Sequence, residues 1–261
     1  KMMVDVDEAE IKKPTLKIDY PIHGDFKDFA NAMISLDLPT ATDEQKEYLK
    51  WCKIRQTKYP VVLPEYHNVR SVVNPYVFME ELFHQLPESG VIVAANGTAC
   101  TVGFQVAHIK KGQRLFTNNG SAPMGYDLPG AIGASFANEG QAIVCLAGDG
   151  SIQMNLQELQ TIVSHRLPIK IFLLNNQGYH SIRQSMNAWF PDNVFGCGDA
   201  GGGLDFPDFS KLAWAYGIPF RRVDDHLQLA DAIQATLQGE SFQMCEIMLD
   251  INQNFSPKVS S

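Results

Sequence analysis

Short apolar runs that each stop at a turn of small or polar residues constrain the fold of this chain more than any other feature. Three such runs lie at residues 91–95, 142–147 and 169–174, and stretches with helical spacing of apolar residues, such as 156–163, separate them. Strands that are apolar throughout are buried on both faces, which is typical of a parallel sheet covered by helices. We therefore predict a doubly wound α/β domain, a mostly parallel sheet with helices on both faces. Its ligand is expected at the carboxyl ends of the strands.

The composition excludes several classes of protein. Of the 261 residues, 45% are hydrophobic and 19% are charged, which is ordinary for a globular protein and excludes disorder. The net charge of -8 argues against nucleic acid or an anionic membrane surface as a partner. The apolar runs are too short to span a bilayer. Scattered single cysteines and the lack of a visible signal peptide favour a reduced, cytoplasmic protein.

The beginning of the chain differs from the rest. It starts on Lys1 within a strand-like pattern, so we expect a fragment of a longer protein. A second strand is predicted over 16–20 and a helix over 25–34. Another helix is predicted after the cap residue Thr42, and a further one begins at Asn74-Pro75.

Polar turns follow the three apolar runs and carry the candidate chemistry. The turns are Asn96-Gly97-Thr98, Gly148-Asp149-Gly150-Ser151 and Asn175-Asn176-Gln177-Gly178. A Gly-Asp-Gly-Ser turn between a buried strand and a helix exposes backbone N–H groups, which are typical phosphate donors. No Walker sequence is present, the three turns lack the GxGxxG spacing, and no lysine or arginine lies in these turns. A divalent cation at Asp149 would offset the charge of a diphosphate, because carboxylate, amide and carbonyl oxygens are the ligands that Mg²⁺ prefers.

The second and third turns resemble the GDG…NN signature of thiamine-diphosphate-dependent enzymes, with 24 residues between Gly148-Asp149-Gly150 and Asn175-Asn176. The resemblance implies thiamine diphosphate and Mg²⁺ as cofactors. It implies that the metal ligands are Asp149, Asn176 and Gly178. It further implies that the diphosphate site includes Gly148, Gly150, Ser151, Tyr179, His180 and Ser181. For either motif alone, a strand-end turn with ordinary Asn and Asp hydrogen bonding is the alternative.

Residues 120–134 (GSAPMGYDLPGAIGA) resemble the stretch before GDG in the acetolactate synthase branch of that family. The resemblance implies that Met124 is the apolar residue that wedges between the two cofactor rings, a catalytic role through positioning. The backbone around Ala122 and Met124 would bind the aminopyrimidine edge, and the Asn96-Gly97-Thr98 turn would also contact the cofactor. Packing in the core is the alternative for Met124, and Thr98 fits either role.

The resemblance also divides the chain. Residues 1–36 look like the tail of the family's middle domain, 37–73 like a helical connector, and 74–261 like the thiamine-diphosphate-binding domain. The family's first domain, which carries the glutamate that protonates the aminopyrimidine ring, is absent, so we expect these 261 residues alone to be inactive. Members of the family are dimers or tetramers, and we expect a homodimer or homotetramer.

The implied reaction decarboxylates a 2-oxo acid such as pyruvate and transfers the two-carbon unit to a second carbonyl compound. Residues 175–190 align with the family, but Ser185 stands where acetolactate synthases usually have the tryptophan that selects the acceptor. The acceptor therefore stays open, and FAD stays undecided. A non-ligating 2-oxo acid decarboxylase and a catalytically silent cofactor-binding module are the alternatives.

Two further assignments stay open. His180 is either a hydrogen-bond donor to phosphate or backbone, or an acid–base group. The glycine-rich residues 196–203 are either a mobile loop over the site or a surface linker.

Overall fold

The structure, a computed structural model, describes residues 1–37, 39–198 and 202–257. It divides into two compact units, Lys1–Tyr59 and Pro60–Ser261. Within the described residues, no helix is both long enough and apolar enough to cross a membrane. The division into a domain tail, a connector and a cofactor-binding domain stays a prediction.

The first unit contains two short parallel strands and three helices. They are β1 (Met2–Asp5), α1 (Glu8–Ile11), β2 (Tyr20–His23), α2 (Phe26–Ile34) and α3 (Asp43–Lys58). The strand predicted over 16–20 is wrong, because β2 begins only at Tyr20, which pairs with Met2 at the start of β1. Helix α3 begins as predicted: the Thr42 hydroxyl accepts from the Gln45 N–H, and the Gln45 side chain accepts from the Thr42 N–H.

The second unit is built around a six-stranded sheet. Its helices and strands are α4 (Pro75–Gln85), β3 (Val91–Ala94), α5 (Gly97–Val106), β4 (Arg114–Phe116), α6 (Asp127–Ala137), β5 (Ile143–Gly148), α7 (Asp149–Ile152), α8 (Glu158–Ser164), β6 (Ile169–Asn175), α9 (His180–Trp189), α10 (Phe209–Ala215), β7 (Phe220–Val223), α11 (Leu229–Gln238) and β8 (Gln243–Met248). The strand order is β4-β3-β5-β6-β8-β7, and every neighbouring pair is parallel. The predicted strands at 91–95, 142–147 and 169–174 correspond to β3, β5 and β6.

Two apolar cores lie on opposite faces of this sheet. On one face, α4, α5 and α11 pack against strand residues such as Ile92 and Phe172. On the other face, α6, α8 and α10 pack against the strand residues that adjoin these in sequence, such as Val93 next to Ile92 and Ile171 next to Phe172. Successive strand residues point to opposite faces, so both faces must be apolar for helices to cover them. The prediction of a doubly wound α/β fold is therefore confirmed.

The strand order also locates the expected ligand site. After β3 the chain moves to the edge strand β4, and it then returns to the other side of β3 to form β5 and, next to it, β6. This change of direction lies between β3 and β5, and ligands of open α/β sheets bind at the carboxyl ends of the strands at such a point. The carboxyl ends of β3, β5 and β6 are where the three polar turns begin.

Candidate functional site

A cavity of about 150 Å³ lies at the carboxyl ends of β3, β5 and β6. Residues of four segments line it: Asn96, Gly97, Thr98, Met124, Gly148, Asp149, Gly150, Ser151, Asn176, Gly178, Tyr179, His180, Ser181 and Ile182. Among these are all the residues that we predicted to bind the cofactor or metal except Ala122. Ile182 lines the cavity as well, although it was not predicted to do so. The fold therefore brings the three polar turns and Met124 to one place.

Asp149 connects two of the turns. It is the first residue of α7, and its side chain is almost fully buried. One carboxylate oxygen, Oδ1, accepts from the Gly150 N–H (2.8 Å), and the other, Oδ2, accepts from the Gly178 N–H (2.9 Å). Burial raises the pKa of Asp149 to about 6, and these hydrogen bonds together with the Arg183 guanidinium partly offset that rise. A nearby cation would stabilise the ionised carboxylate further.

Asn176 presents a buried oxygen that has no hydrogen-bond donor among the residues that the structure describes. Its amide Nδ2 donates to Thr98 Oγ1 at 3.1 Å, while its Oδ1 is buried and unpartnered. Leaving a buried acceptor unpaired costs roughly 1–3 kcal/mol, so an arrangement like this needs an explanation such as an ion. A carboxylate and an amide oxygen that line one cavity fit a hard cation. Nowhere in the described chain do three His, Cys, Asp or Glu side chains gather as a metal cluster, so such a site would rely on amide and carbonyl oxygens as well.

Close packing explains one glycine in each of the second and third turns. A Cβ on Gly178, whose φ is +143°, would lie 1.9 Å from the Cys197 carbonyl oxygen. A Cβ on Gly150 would lie 2.3 Å from Cε1 of Tyr179. The backbone at Gly178 therefore leaves no room for a side chain, and a residue larger than glycine at Gly150 would have to displace the Tyr179 ring.

The predicted diphosphate donors differ in their present partners. The Gly150 N–H donates to Asp149 Oδ1, and the His180 N–H donates to Gly178 O (3.1 Å), so both amides already make internal hydrogen bonds. The His180 ring is buried, and neither of its nitrogens has a partner. Burial, and next the neighbouring Arg183 guanidinium, lower the pKa of His180, which keeps the ring neutral at pH 7. The ring also lines the cavity, so its N–H is a donor that an anionic ligand there would meet.

Met124 lies in a constrained segment beside the second turn. Its neighbour Gly125 has φ of +83°, donates its N–H to Ser151 Oγ (2.8 Å), and accepts from Asn155 Nδ2 (2.7 Å). Ala122 has a positive φ of 44° and does not line the cavity. Its carbonyl accepts from the Asn96 side chain at 3.2 Å. The predicted contacts of Met124 and Ala122 with the cofactor rings stay predictions.

Part of the predicted glycine-rich loop packs on the third turn. The Tyr179 N–H donates to the Cys197 carbonyl oxygen at 2.9 Å, and a Cβ on Gly198 would lie 2.0 Å from Gln177 O. Residues 199–201 of this predicted loop lie outside the described residues. Its assignment as a mobile loop therefore stays a prediction.

Two charged residues beside the site were not predicted to take part in it. Arg183 on α9 is buried and donates through Nη2 to the Asn176 carbonyl oxygen at 2.8 Å. Glu246 on β8 is buried and accepts from Asn175 Nδ2 at 2.7 Å. A single carboxylate inside the otherwise apolar run 244–249 is a sequence signal that could have identified Glu246.

Comparison with known proteins gives one consistent result. A family model described as "Thiamine pyrophosphate enzyme, C-terminal TPP binding domain" matches residues 95–247, more than half of the chain. Thiamine pyrophosphate is another name for thiamine diphosphate. An acetolactate synthase large subunit from Cyanidium caldarium is 31% identical over 98% of this chain and 43% of its own length. One from Pyropia yezoensis is 27% identical over 98% of this chain and 42% of its own length.

A shorter alignment points to the same group of proteins. The large subunit of acetolactate synthase isozyme 2 from Escherichia coli (strain K12) is 33% identical over 59% of this chain and 27% of its own length. The chain thus spans less than half the length of the curated relatives it matches. The region matched by the family model contains all three polar turns. The chain therefore belongs to the thiamine-diphosphate-dependent enzymes and contains the C-terminal cofactor-binding domain of an acetolactate synthase-like member.

Proposed function

We propose that this chain provides the Mg²⁺-diphosphate part of the active site of a carboligase of acetolactate synthase type. The reaction decarboxylates a 2-oxo acid such as pyruvate and transfers the two-carbon unit to a second carbonyl compound. The observation that carries the proposal is the buried Asp149 carboxylate in one cavity with the unpartnered Asn176 oxygen. The names of the relatives support the reaction type.

In this proposal, Asp149 Oδ2, Asn176 Oδ1 and the Gly178 carbonyl oxygen hold Mg²⁺. All three are hard oxygen ligands, which suit Mg²⁺ better than thiolate or imidazole would. The ion satisfies the unpartnered Asn176 oxygen and lowers the cost of burying an ionised Asp149. It also supplies the positive charge that a diphosphate requires, since none of the described residues that line this cavity is a lysine or an arginine.

The chain's own donors then bind the diphosphate. The His180 ring and the Ser151 hydroxyl, which accepts from the Gly125 N–H, line the cavity and are its side-chain donors in this proposal. Hydrogen bonds to a charged phosphate oxygen are stronger than those between neutral groups. His180 thus acts as a neutral donor here rather than as an acid–base group.

Met124 positions the cofactor in this proposal. It stands on the cavity wall in a segment that two hydrogen bonds of Gly125 fix in place. When bound, thiamine diphosphate supplies the electron sink that decarboxylation of a 2-oxo acid needs. An apolar side chain that projects from this fixed backbone beside the rings limits the geometries that the cofactor can adopt.

Product analysis of the full-length protein with pyruvate, thiamine diphosphate and Mg²⁺ tests the proposal. We expect acetolactate. Free acetaldehyde as the sole product would instead support a non-ligating decarboxylase. Tight cofactor binding without any product would support a catalytically silent module. Assembly as a homodimer or homotetramer, a cytoplasmic location and the use of FAD are separate predictions that this experiment leaves aside.

A further inference from the structure

A buried glutamate outside the cofactor cavity contacts the third polar turn. Glu246 is the charged residue of strand β8, and it is 3% exposed. In the sheet it lies opposite Leu173 of β6 and opposite Arg222 of β7. Because side chains alternate between faces along a strand, Glu246 shares its face with Leu173 and with Asn175. Glu246 therefore reaches the last residue of β6, one position before Asn176.

Asn175 connects Glu246 to the turn. Its Nδ2 donates to Glu246 Oε1 at 2.7 Å, and its Oδ1 accepts from the Gln177 N–H at 3.0 Å. The acceptor on Glu246 fixes which way the Asn175 amide points, because a reversed amide would aim its oxygen at the Glu246 carboxylate as well as its NH₂ group at the Gln177 N–H. Glu246 thus determines that the amide oxygen of Asn175 faces the turn.

The turn needs this support because its backbone is strained. Gln177 has a positive φ of 55°, which is uncommon for a residue with a side chain. The Asn175 side chain satisfies the Gln177 N–H and so stabilises this conformation. Residues 176 and 178, on either side of Gln177, are the ones proposed to present oxygen ligands to Mg²⁺.

An ion pair does not account for the burial of Glu246. The nearest cation, Arg222, lies 3.9 Å from Glu246 Oε2, while its Nε bonds Asp224 Oδ1 at 2.8 Å on the exposed edge. Burial raises the pKa of Glu246, and the hydrogen bond from Asn175 is the largest contribution that opposes this rise. The main partner of this carboxyl group is thus Asn175.

We propose that Glu246 is a positioning residue for the metal-binding turn. Through Asn175 it holds the Asn176 amide oxygen and the Gly178 carbonyl in the arrangement that binds Mg²⁺. This inference rests on the proposed Mg²⁺-diphosphate site. Groups that orient metal ligands from behind commonly change metal affinity by about 10–100-fold when they are removed.

The test is the Mg²⁺ concentration that half-saturates thiamine diphosphate binding to the full-length protein, measured by calorimetry at fixed cofactor concentration. Glu246→Met removes the acceptor, and we expect this concentration to rise about 10–100-fold. Glu246→Gln keeps an acceptor oxygen and is expected to stay within about threefold of the wild type. Arg222→Met, the matched control, removes the neighbouring charge but leaves the Asn175 hydrogen bond, and it is expected to behave like Glu246→Gln.

Three outcomes would contradict the inference. One is a Glu246→Met protein with lowered thermal stability but unchanged Mg²⁺ dependence, which would indicate a structural role alone. Another is an equal loss in Arg222→Met, which would indicate charge rather than orientation. A third is an equal loss in Glu246→Gln.

A second variant serves if Glu246→Met does not fold. Glu246→Asp keeps the charge but withdraws the carboxyl by one methylene, and its Mg²⁺ requirement should also rise. A Glu246→Asp protein with wild-type Mg²⁺ dependence would overturn the inference. Failure of the wild-type protein to bind the cofactor in a Mg²⁺-dependent manner would instead overturn the proposed function.

Discussion

The cavities at the two ends of the six-stranded sheet differ in size and in the residues that line them. At the amino ends of β3, β5 and β6, a cavity of about 540 Å³ is lined by residues such as His84, Ala142 and Lys170. At the carboxyl ends, the cavity with Asp149 and Asn176 measures only about 150 Å³. Size alone would therefore direct attention to the wrong end of the sheet.

Hydrogen bonding separates the two ends more clearly. Buried Lys170 donates its ammonium to the carbonyl oxygens of Gly239 and Ser241, so its charge has protein partners. At the carboxyl end, Asn176 Oδ1 and both ring nitrogens of His180 are buried without partners. Buried polar groups are normally paired, and the proposed Mg²⁺ and diphosphate would explain this cluster of unpaired ones. The comparison teaches that the protein itself satisfies the buried charge beside the larger cavity, whereas the carboxyl ends of β3, β5 and β6 keep buried polar atoms without partners among the described residues.

Replacing the proposed carboxylate ligand gives the largest expected effect and tests the carboxyl end directly. Asp149→Ala in the full-length protein should weaken Mg²⁺-dependent thiamine diphosphate binding by about 100-fold or more, because it removes a ligand rather than a group that supports one. Calorimetric titration measures this. The control is Asp231→Ala, which removes an exposed carboxylate on α11. Undiminished binding in Asp149→Ala would contradict the proposed metal site and with it the contrast between the two ends of the sheet.

A test of the close packing at the carboxyl end comes next. Gly178→Ala would place a Cβ 1.9 Å from a backbone oxygen at a positive φ, and we expect the free energy of unfolding to fall by about 3 kcal/mol or more. Gly133→Ala in α6 is the matched control, since a Cβ there meets nothing within 4 Å. That control should stabilise the protein by up to about 1 kcal/mol. Denaturant titration would contradict the packing argument if the two variants behaved alike.

The third prediction concerns the orientation of the Asn176 amide. Thr98→Val removes the hydroxyl that accepts from Asn176 Nδ2 at nearly constant side-chain volume. The amide then rotates more freely, and we expect the Mg²⁺ requirement for cofactor binding to rise about tenfold. Thr101→Val, also on α5 but outside the cavity lining, is the control. Equal Mg²⁺ dependence in the two variants would show that Thr98 does not orient Asn176.

A substitution at the amino ends of the strands should affect cofactor binding least. Lys170→Met removes the ammonium that bonds Gly239 and Ser241, and the free energy of unfolding should fall by about 1–3 kcal/mol. Cofactor affinity should stay unchanged, because Lys170 lies at the opposite end of β6 from Asn175. A loss of affinity as large as that of Thr98→Val would mean that the two ends are coupled and would break the comparison.

Local patterns predicted the three strands that precede the polar turns but failed where the pattern was short or misleading. The runs that became β3, β5 and β6 are long, apolar and bounded by turns, so their periodicity was sufficient. The edge strand β4 has only three residues and was not predicted. The alternating residues 16–20 predicted a strand that pairing with β1 shifts to Tyr20–His23.

The sequence predicted which residues belong to the candidate site but not which hydrogen bonds they make. Strand-end position and the family signature were enough to collect Asp149, Asn176 and Met124, which the fold brings to one cavity. Glu246 was missed because its relation to the site depends on pairing between β6 and β8, which are separated by α9, α10, β7 and α11 in the sequence. Helix α5 was missed because its small apolar residues carry little periodic signal.

The sequence by itself determined the α/β class, the three polar turns and the oxygen-rich donor set, because strand periodicity and turn chemistry act over a few neighbouring residues. Only the tertiary structure decided which atoms remain free to bind. The Thr98 hydroxyl, 78 residues away in the sequence, orients the Asn176 amide. Glu246, 71 residues away in the sequence, orients the Asn175 amide. An amide can point either way in an isolated turn, and its direction is set by the hydrogen-bond partners that folding brings beside it.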